Sequence, residues 1–241
     1  MRYISILSTI VTFIFAVAVF KRYRARGGTH LLLWGIGLVF YGLGTLSEVV
    51  MIFGFSPLAL RIWYLTGAML TAAWLGQGTV HLLVRKPRVA RTLTAILAVV
   101  SLIAAVLVLV APINPATAAA FNSNQPISEQ YKEILARNGI VVLLTILLNI
   151  YGTITLVGGA LYSAFLFWRK RILADRMIGN ILIAAGALFP AMAGSFIKAG
   201  LVDWLYLSEL IGVVLMYTGF LKATAYRPAI EPQSVVSAST D

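Results

Sequence analysis

The sequence predicts an all-α polytopic membrane protein with seven transmembrane helices, its N-terminus outside and its C-terminus in the cytoplasm. Three observations carry that expectation. Seven apolar runs follow one another along the chain, each long enough, or nearly so, to cross a hydrocarbon core of about 30 Å. The lysines and arginines cluster on alternate connections between these runs. The composition is 60% hydrophobic and 11% charged, with a mean hydropathy of +0.92, far from the roughly half-apolar, quarter-charged mix of soluble domains.

The runs are 4–20, 31–53, 58–84, 93–111, 139–168, 177–199 and 201–226, which makes residues 1–227 one transmembrane domain. The first run carries Ser5, Ser8, Thr9 and Thr12 and is the shortest. It is read as a retained helix because its basic cluster follows the apolar stretch and no small-residue cleavage site comes after it. Residues 112–138 form the one large extracellular connection. Pro112, Pro115 and Pro126 break it up, and a short polar helix beginning near Ser128 leads into the fifth run. The tail, 228–241, has too little apolar surface to fold and is expected to be disordered.

Orientation follows from the basic residues. Lys21, Arg22, Arg24 and Arg26 follow run one, and Arg85, Lys86, Arg88 and Arg91 follow run three. Arg169, Lys170, Arg171 and Arg176 follow run five, with Lys222 and Arg227 at the end of run seven. These are 14, against five on the opposite side: Arg2, Arg61, Lys132, Arg137 and Lys198. The positive-inside rule assigns the 14 to the cytoplasm and the chain to a plasma membrane, the inner membrane in a bacterium. Runs one to three and five to seven then have the same direction, a three-plus-one-plus-three layout of parallel halves. Overlaying them superposes Trp63, Gly78 and Pro87 on Trp204, Gly219 and Pro228.

Several chemistries are excluded. There is no cysteine, hence no disulfide, iron–sulfur ligation or cysteine-bound zinc. The net charge of +11 is spread over short clusters rather than one continuous face, so nucleic acid is not an expected partner. The expected partners are the lipid bilayer, a small solute or proton, and a second copy or a partner membrane protein.

Small residues recur at intervals of seven, close to two helical turns. Gly35 pairs with Gly42, Gly37 with Gly44, Gly152 with Gly159, Gly179 with Gly186, and Gly212 with Gly219. Each set lies on one face, where missing bulk lets another helix approach. Tight packing within one bundle is the plainer reading, and a sliding or dimerising surface the functional one.

Glu48 in run two shares a stripe with Gly37, Tyr41 and Gly44, and Glu209 in run seven shares one with Gly212, Met216 and Gly219. Both stripes should face protein, so two carboxylates point inward from the outer half of the bundle. An ionisable group in the membrane costs a few kcal/mol on insertion scales and marks a functional candidate. Its expected charge partners are Arg61 and Lys198, and a structural Glu48–Arg61 ion pair accounts for the same residues without a ligand. A weaker polar set joins Gln77 and His81 on run three to Thr145, Asn149 and Thr153 on run five, either as a path toward the cytoplasm or as bonds between helices. Trp34, Trp63, Trp168, Trp204, Tyr206 and Tyr226 fit an interfacial aromatic belt.

Arg61, Ile62, Trp63, Tyr64 and Leu65 resemble the arginine-to-tryptophan stretch of a microbial opsin's third helix. That resemblance implies a lysine in the middle of the seventh helix to hold retinal. Val213, Val214 and Leu215 stand there instead, with Lys222 only near the cytoplasmic end, so no cofactor is expected. The layout is similar to that of the small sugar transporters of the SWEET type, although the only Pro-Gln here is Pro232 with Gln233, in the tail. Membrane hydrolases that hold zinc with three histidines are excluded, since His30 and His81 are the only two.

The reading that follows is a small-solute transporter or permease with a site near Glu48 and Glu209. The alternatives are a seven-helix sensor or receptor-like module acting through a partner, and an accessory subunit of a larger membrane complex. An enzyme is the class the sequence supports least.

Overall fold

The computed structural model describes residues 3–170, 174–192 and 203–225. Among them the regular structure is helical, apart from one isolated bridge between Ile113 and Leu135. The helices are α1 (Ile4–Arg26), α2 (Thr29–Ile52), α3 (Pro57–Leu83), α4 (Pro87–Val110), α5 (Pro115–Ala119), α6 (Ile127–Ile134), α7 (Gly139–Arg169), α8 (Ala174–Ala191) and α9 (Asp203–Thr224). Six of these, α1 to α4, α7 and α9, are long and apolar enough to cross a membrane, so the chain has the helices of a multi-pass membrane protein. The run expected at 177–199 is described only through α8. Lys198, Arg171, Arg227, Tyr226 and the tail 228–241 lie outside the described residues.

Local chemistry sets the helix ends. Gly27 and Gly28, at φ +68° and +102°, take left-handed backbone that only glycine adopts freely, and so turn the chain tightly from α1 into α2. Ser56 caps α3 by accepting from the Ala59 amide, with Pro57 behind it, and Asn138 caps α7 by accepting from the Val141 amide at 2.8 Å. The basic cluster after run one does not end the helix, because α1 continues through Lys21, Arg22 and Arg24 to Arg26.

Neighbouring helices close a ring in the order α1, α2, α3, α7, α8, α9 and back to α1. Helix α4 lies outside it, packed on α3 and α7. Leu102, Val106, Leu109 and Val110 on its outward side are exposed, as a lipid-facing helix requires.

The glycine seams lie at the helix contacts. A Cβ on Gly44 would stand 2.8 Å from the Gly67 Cα, joining α2 to α3. One on Gly186 would meet the Gly212 carbonyl at 2.5 Å, and one on Gly219 the Gly179 carbonyl at 2.6 Å, joining α8 to α9. Gly37 packs against Leu75, and Gly152 against the backbone of Ala72. No side chain fits at these positions, so the helix backbones touch directly.

Helices α3 and α7 are not α-helical throughout. Trp63–Leu70 and Ile154–Gly158 are π-helical, a wider winding that leaves carbonyls without their usual partners. Side chains serve them instead. Thr66 Oγ1 donates to the Ile62 carbonyl at 2.8 Å, Thr71 Oγ1 to the Thr66 carbonyl at 2.8 Å, and Asn149 Nδ2 of α7 to the Ala68 carbonyl at 2.7 Å. The apolar pattern of the sequence carries no sign of these windings, because it records which face is buried and not how many residues make a turn.

The tryptophans divide. Trp168 and Trp204 are exposed at helix ends, as a belt requires, whereas Trp63 and Tyr206 are buried. Trp63 and Trp204, which the overlay of the two halves superposes, therefore sit in different surroundings.

Candidate functional site: a carboxyl pair in a chamber

Glu48 and Glu209 are brought together. The α2 stripe of Gly37, Tyr41, Gly44 and Glu48 is buried throughout, and the Gly212–Gly186 contact draws α9 into the ring. The two carboxyl groups lie within hydrogen-bonding reach of each other. Their surroundings are unequal. Ser5 Oγ donates to Glu48 Oε2 at 3.0 Å and Trp63 Nε1 donates to Glu48 Oε1 at 2.9 Å. Glu209 Oε2 is enclosed, and among the described residues no other side chain or backbone group donates to it. Tyr41 fixes the backbone beneath, its hydroxyl donating to the Glu209 carbonyl oxygen at 3.1 Å.

Both glutamates line a chamber of about 560 Å³. Its mouth is at α6, where Ser128, Tyr131 and the exposed Lys132 line it, and its walls come from α2, α3, α7, α8 and α9. Both π-helical segments contribute, through Trp63, Gly67 and Ala68 on α3 and Leu156 and Val157 on α7. Leu75, Leu156 and Met216 form its floor. Those three also bound a small void of about 30 Å³ lined by Phe15, Val19, Trp34, Leu38, Ile183 and Phe220. That void has room for a water molecule but nothing to hydrogen-bond it, and stays dry. The chamber thus extends, among the described residues, from the exposed Lys132 at one end to a floor of apolar side chains at the other.

Aromatic contacts hold the mouth helix. The Tyr131 ring packs on Trp63 at 5.2 Å and on Tyr64 at 5.5 Å between centroids. The Arg137 guanidinium lies over Tyr131 at 4.7 Å and over Tyr64 at 5.7 Å, a cation–π arrangement. Burial pushes the Tyr131 phenol above its ordinary range, with Arg137 opposing in part. The loop is also pinned by the Asn114 amide donating to the Ile134 carbonyl and the Ala136 amide to the Pro112 carbonyl, each at 2.9 Å.

The other expected site residues are placed differently. Arg61 does not pair with Glu48. Its Nη2 donates to the Ala111 carbonyl at 3.0 Å, tying the start of α3 to the end of α4, and Glu48 is satisfied by neutral donors instead. Gln77 and His81 do not line the chamber. Gln77 is fully buried, donates to the Ala90 carbonyl at 3.0 Å and to Thr94 Oγ1 at 2.8 Å, and accepts from the Tyr151 hydroxyl. His81 Nε2 bonds the same Thr94 hydroxyl at 2.7 Å. These contacts join α3 to α4 and α7. Of the set, Asn149 and Thr153 line the chamber, while Thr145 bonds the Tyr64 hydroxyl at 2.9 Å.

Ser5, Trp63, Tyr41 and Ser128 were not among the expected site residues. Ser5 reads as one polar residue in a short run and Trp63 as a belt residue, and only the closing of the ring reveals what they touch. Among the described residues no three His, Cys, Asp or Glu side chains converge as metal ligands. Comparison with protein-family models, with curated proteins and with solved structures finds no match.

Proposed function

We propose that the chain is a small-solute transporter or permease of the plasma membrane whose solute binds in the chamber beside Glu48 and Glu209. The observation that carries this reading is the pair of membrane-embedded carboxyls lining a chamber of about 560 Å³, inside the 300–1,000 Å³ range usual for ligand pockets. A carboxyl needed only to join two helices has no use for such a space. The apolar floor beneath supports the same reading, since a transporter must close one side of its site while the other is open. The basic clusters set the mouth on the non-cytoplasmic side, and the two π-helical wall segments are the kind of irregularity found at functional sites.

The test is uptake of labelled small cations and zwitterions into proteoliposomes of the purified chain, with and without an imposed proton gradient. Uptake by the parent that is lost in Glu48→Gln and Glu209→Gln is the expected outcome. No uptake of any solute, from protein with an intact thermal transition, contradicts transport.

A further inference from the structure

The donors around the carboxyl pair narrow the ligand. Both Glu48 oxygens are already engaged, by Ser5 and Trp63, whereas Glu209 Oε2 is enclosed with no donor, among the described residues, beyond the pair itself. Two carboxyls lining one chamber cannot both be ionised without a cation beside them, and with none there among the described residues the empty chamber holds one proton between them. A ligand with N–H donors and a positive charge satisfies Glu209 Oε2 and takes over that proton's electrostatic role. The chamber far exceeds the volume of an inorganic cation, and its walls include Tyr41, Trp63, Leu205 and Met216, which suit a hydrocarbon body. Aromatic faces beside the charge add attraction for a cation.

We propose that the chamber takes a protonated organic amine, its N–H donated to Glu209 Oε2, in exchange for the proton shared by Glu209 and Glu48. The charges balance. The empty pair is one carboxylic acid and one carboxylate, and the occupied pair is two carboxylates with one ammonium ion. The displaced proton leaves to water at the chamber mouth. Among the described residues the other titratable groups facing the chamber are Tyr41 of α2 and, at the rim, Tyr131 and Lys132 of α6. The lining residues of α3, α7 and α8 carry none, and α1 presents Ser5. This inference rests on the chamber being a solute site, and not on the solute crossing the membrane.

The experiment is calorimetric titration of the full chain in detergent with benzylammonium and, for comparison, benzyltrimethylammonium, which has no N–H. Each is run in two buffers of different ionisation enthalpy. The expected result is release of about one proton per benzylammonium bound, affinity falling about tenfold per unit of falling pH, and much weaker binding of the quaternary ion. Glu209→Gln should abolish the proton release, and Glu48→Gln is the second variant should the first not fold. Equal binding of both ions, binding without proton release, or no binding by protein with a normal thermal transition overturns the proposal. Amine binding with proton release but no liposome uptake leaves it standing and removes transport. Uptake of another solute, indifferent to Glu209, does the reverse.

Discussion

Two buried polar clusters lie in the same bundle, and they differ in how completely they are satisfied. Around Gln77 the side-chain oxygen accepts from Tyr151, and the amide donates to the Ala90 carbonyl and Thr94, which also bonds His81. The donors and acceptors face one another across closely packed helices and do not line the chamber of the carboxyl pair. At the carboxyl pair Glu48 is equally well held, but Glu209 keeps an enclosed oxygen without a donor outside the pair among the described residues and borders about 560 Å³ of open space. Burial of a polar group is common to both. What separates them is unused bonding capacity beside open space, so the first cluster works as a clamp between helices and the second has capacity left for a ligand.

The largest expected effect breaks the clamp. Gln77→Leu leaves the Tyr151 hydroxyl and the Thr94 and Ala90 oxygens with lost partners and should destabilise the chain by about 3 kcal/mol, read as a lower unfolding midpoint in detergent, while any ligand-induced shift survives. Trp63→Phe removes the indole donor to Glu48 and should cost about 1–2 kcal/mol while also weakening the ligand effect, because the Glu48 carboxyl is then free to turn. Glu209→Gln should change the stability of the unliganded chain by less than about 1 kcal/mol, since the amide can donate to Glu48 in place of the shared proton and Oε2 has no further donor to lose among the described residues. Ser128→Ala should be neutral, or stabilising by up to about 1 kcal/mol, because the Ser128 hydroxyl at the mouth is also enclosed without a partner.

The mouth supplies a pH test. The Tyr131 phenol titrates above its ordinary value in the folded chain, so the folded state retains that proton at pH values where the unfolded state has released it. The corresponding stability is fully present below about pH 10 and is lost as pH rises beyond it. Tyr131→Phe should therefore flatten the alkaline fall in the unfolding midpoint, and an unchanged alkaline limb contradicts the burial of that hydroxyl.

Much of this was legible in the sequence, and the reasons separate what was from what was not. The apolar runs locate the ends of α2, α3 and α7 to within a residue or two, because a membrane core requires long uninterrupted apolar segments. The short helix at Ile127–Ile134 follows from its polar pattern after Pro126. The stripe of Gly37, Tyr41, Gly44 and Glu48 identifies the buried face of α2, and the corresponding stripe identifies that of α9. The meeting of Glu48 with Glu209 depends on α9 closing the ring against α1, a contact between the two ends of the chain that no local pattern encodes. Charge matching misleads at Arg61, because a guanidinium at a helix start finds a nearby backbone carbonyl, that of Ala111, as good a partner as a carboxylate. Polarity alone likewise gives no means of separating Gln77 and His81 from Asn149. They lie on the α3 side that meets α4, and only the position of α4 outside the ring removes them from the chamber.

The central claim is that the carboxyl pair, and not the Gln77 clamp, binds a ligand. Thermal unfolding of the parent, Glu209→Gln and Gln77→Leu with and without benzylammonium tests it most directly. At 100 times its Kd a ligand should add about 2.7 kcal/mol to the stability of a reversibly unfolding protein. The account predicts that shift in the parent and in the weakened Gln77→Leu, and none in Glu209→Gln. The same shift in all three, or its loss only in Gln77→Leu, would contradict it.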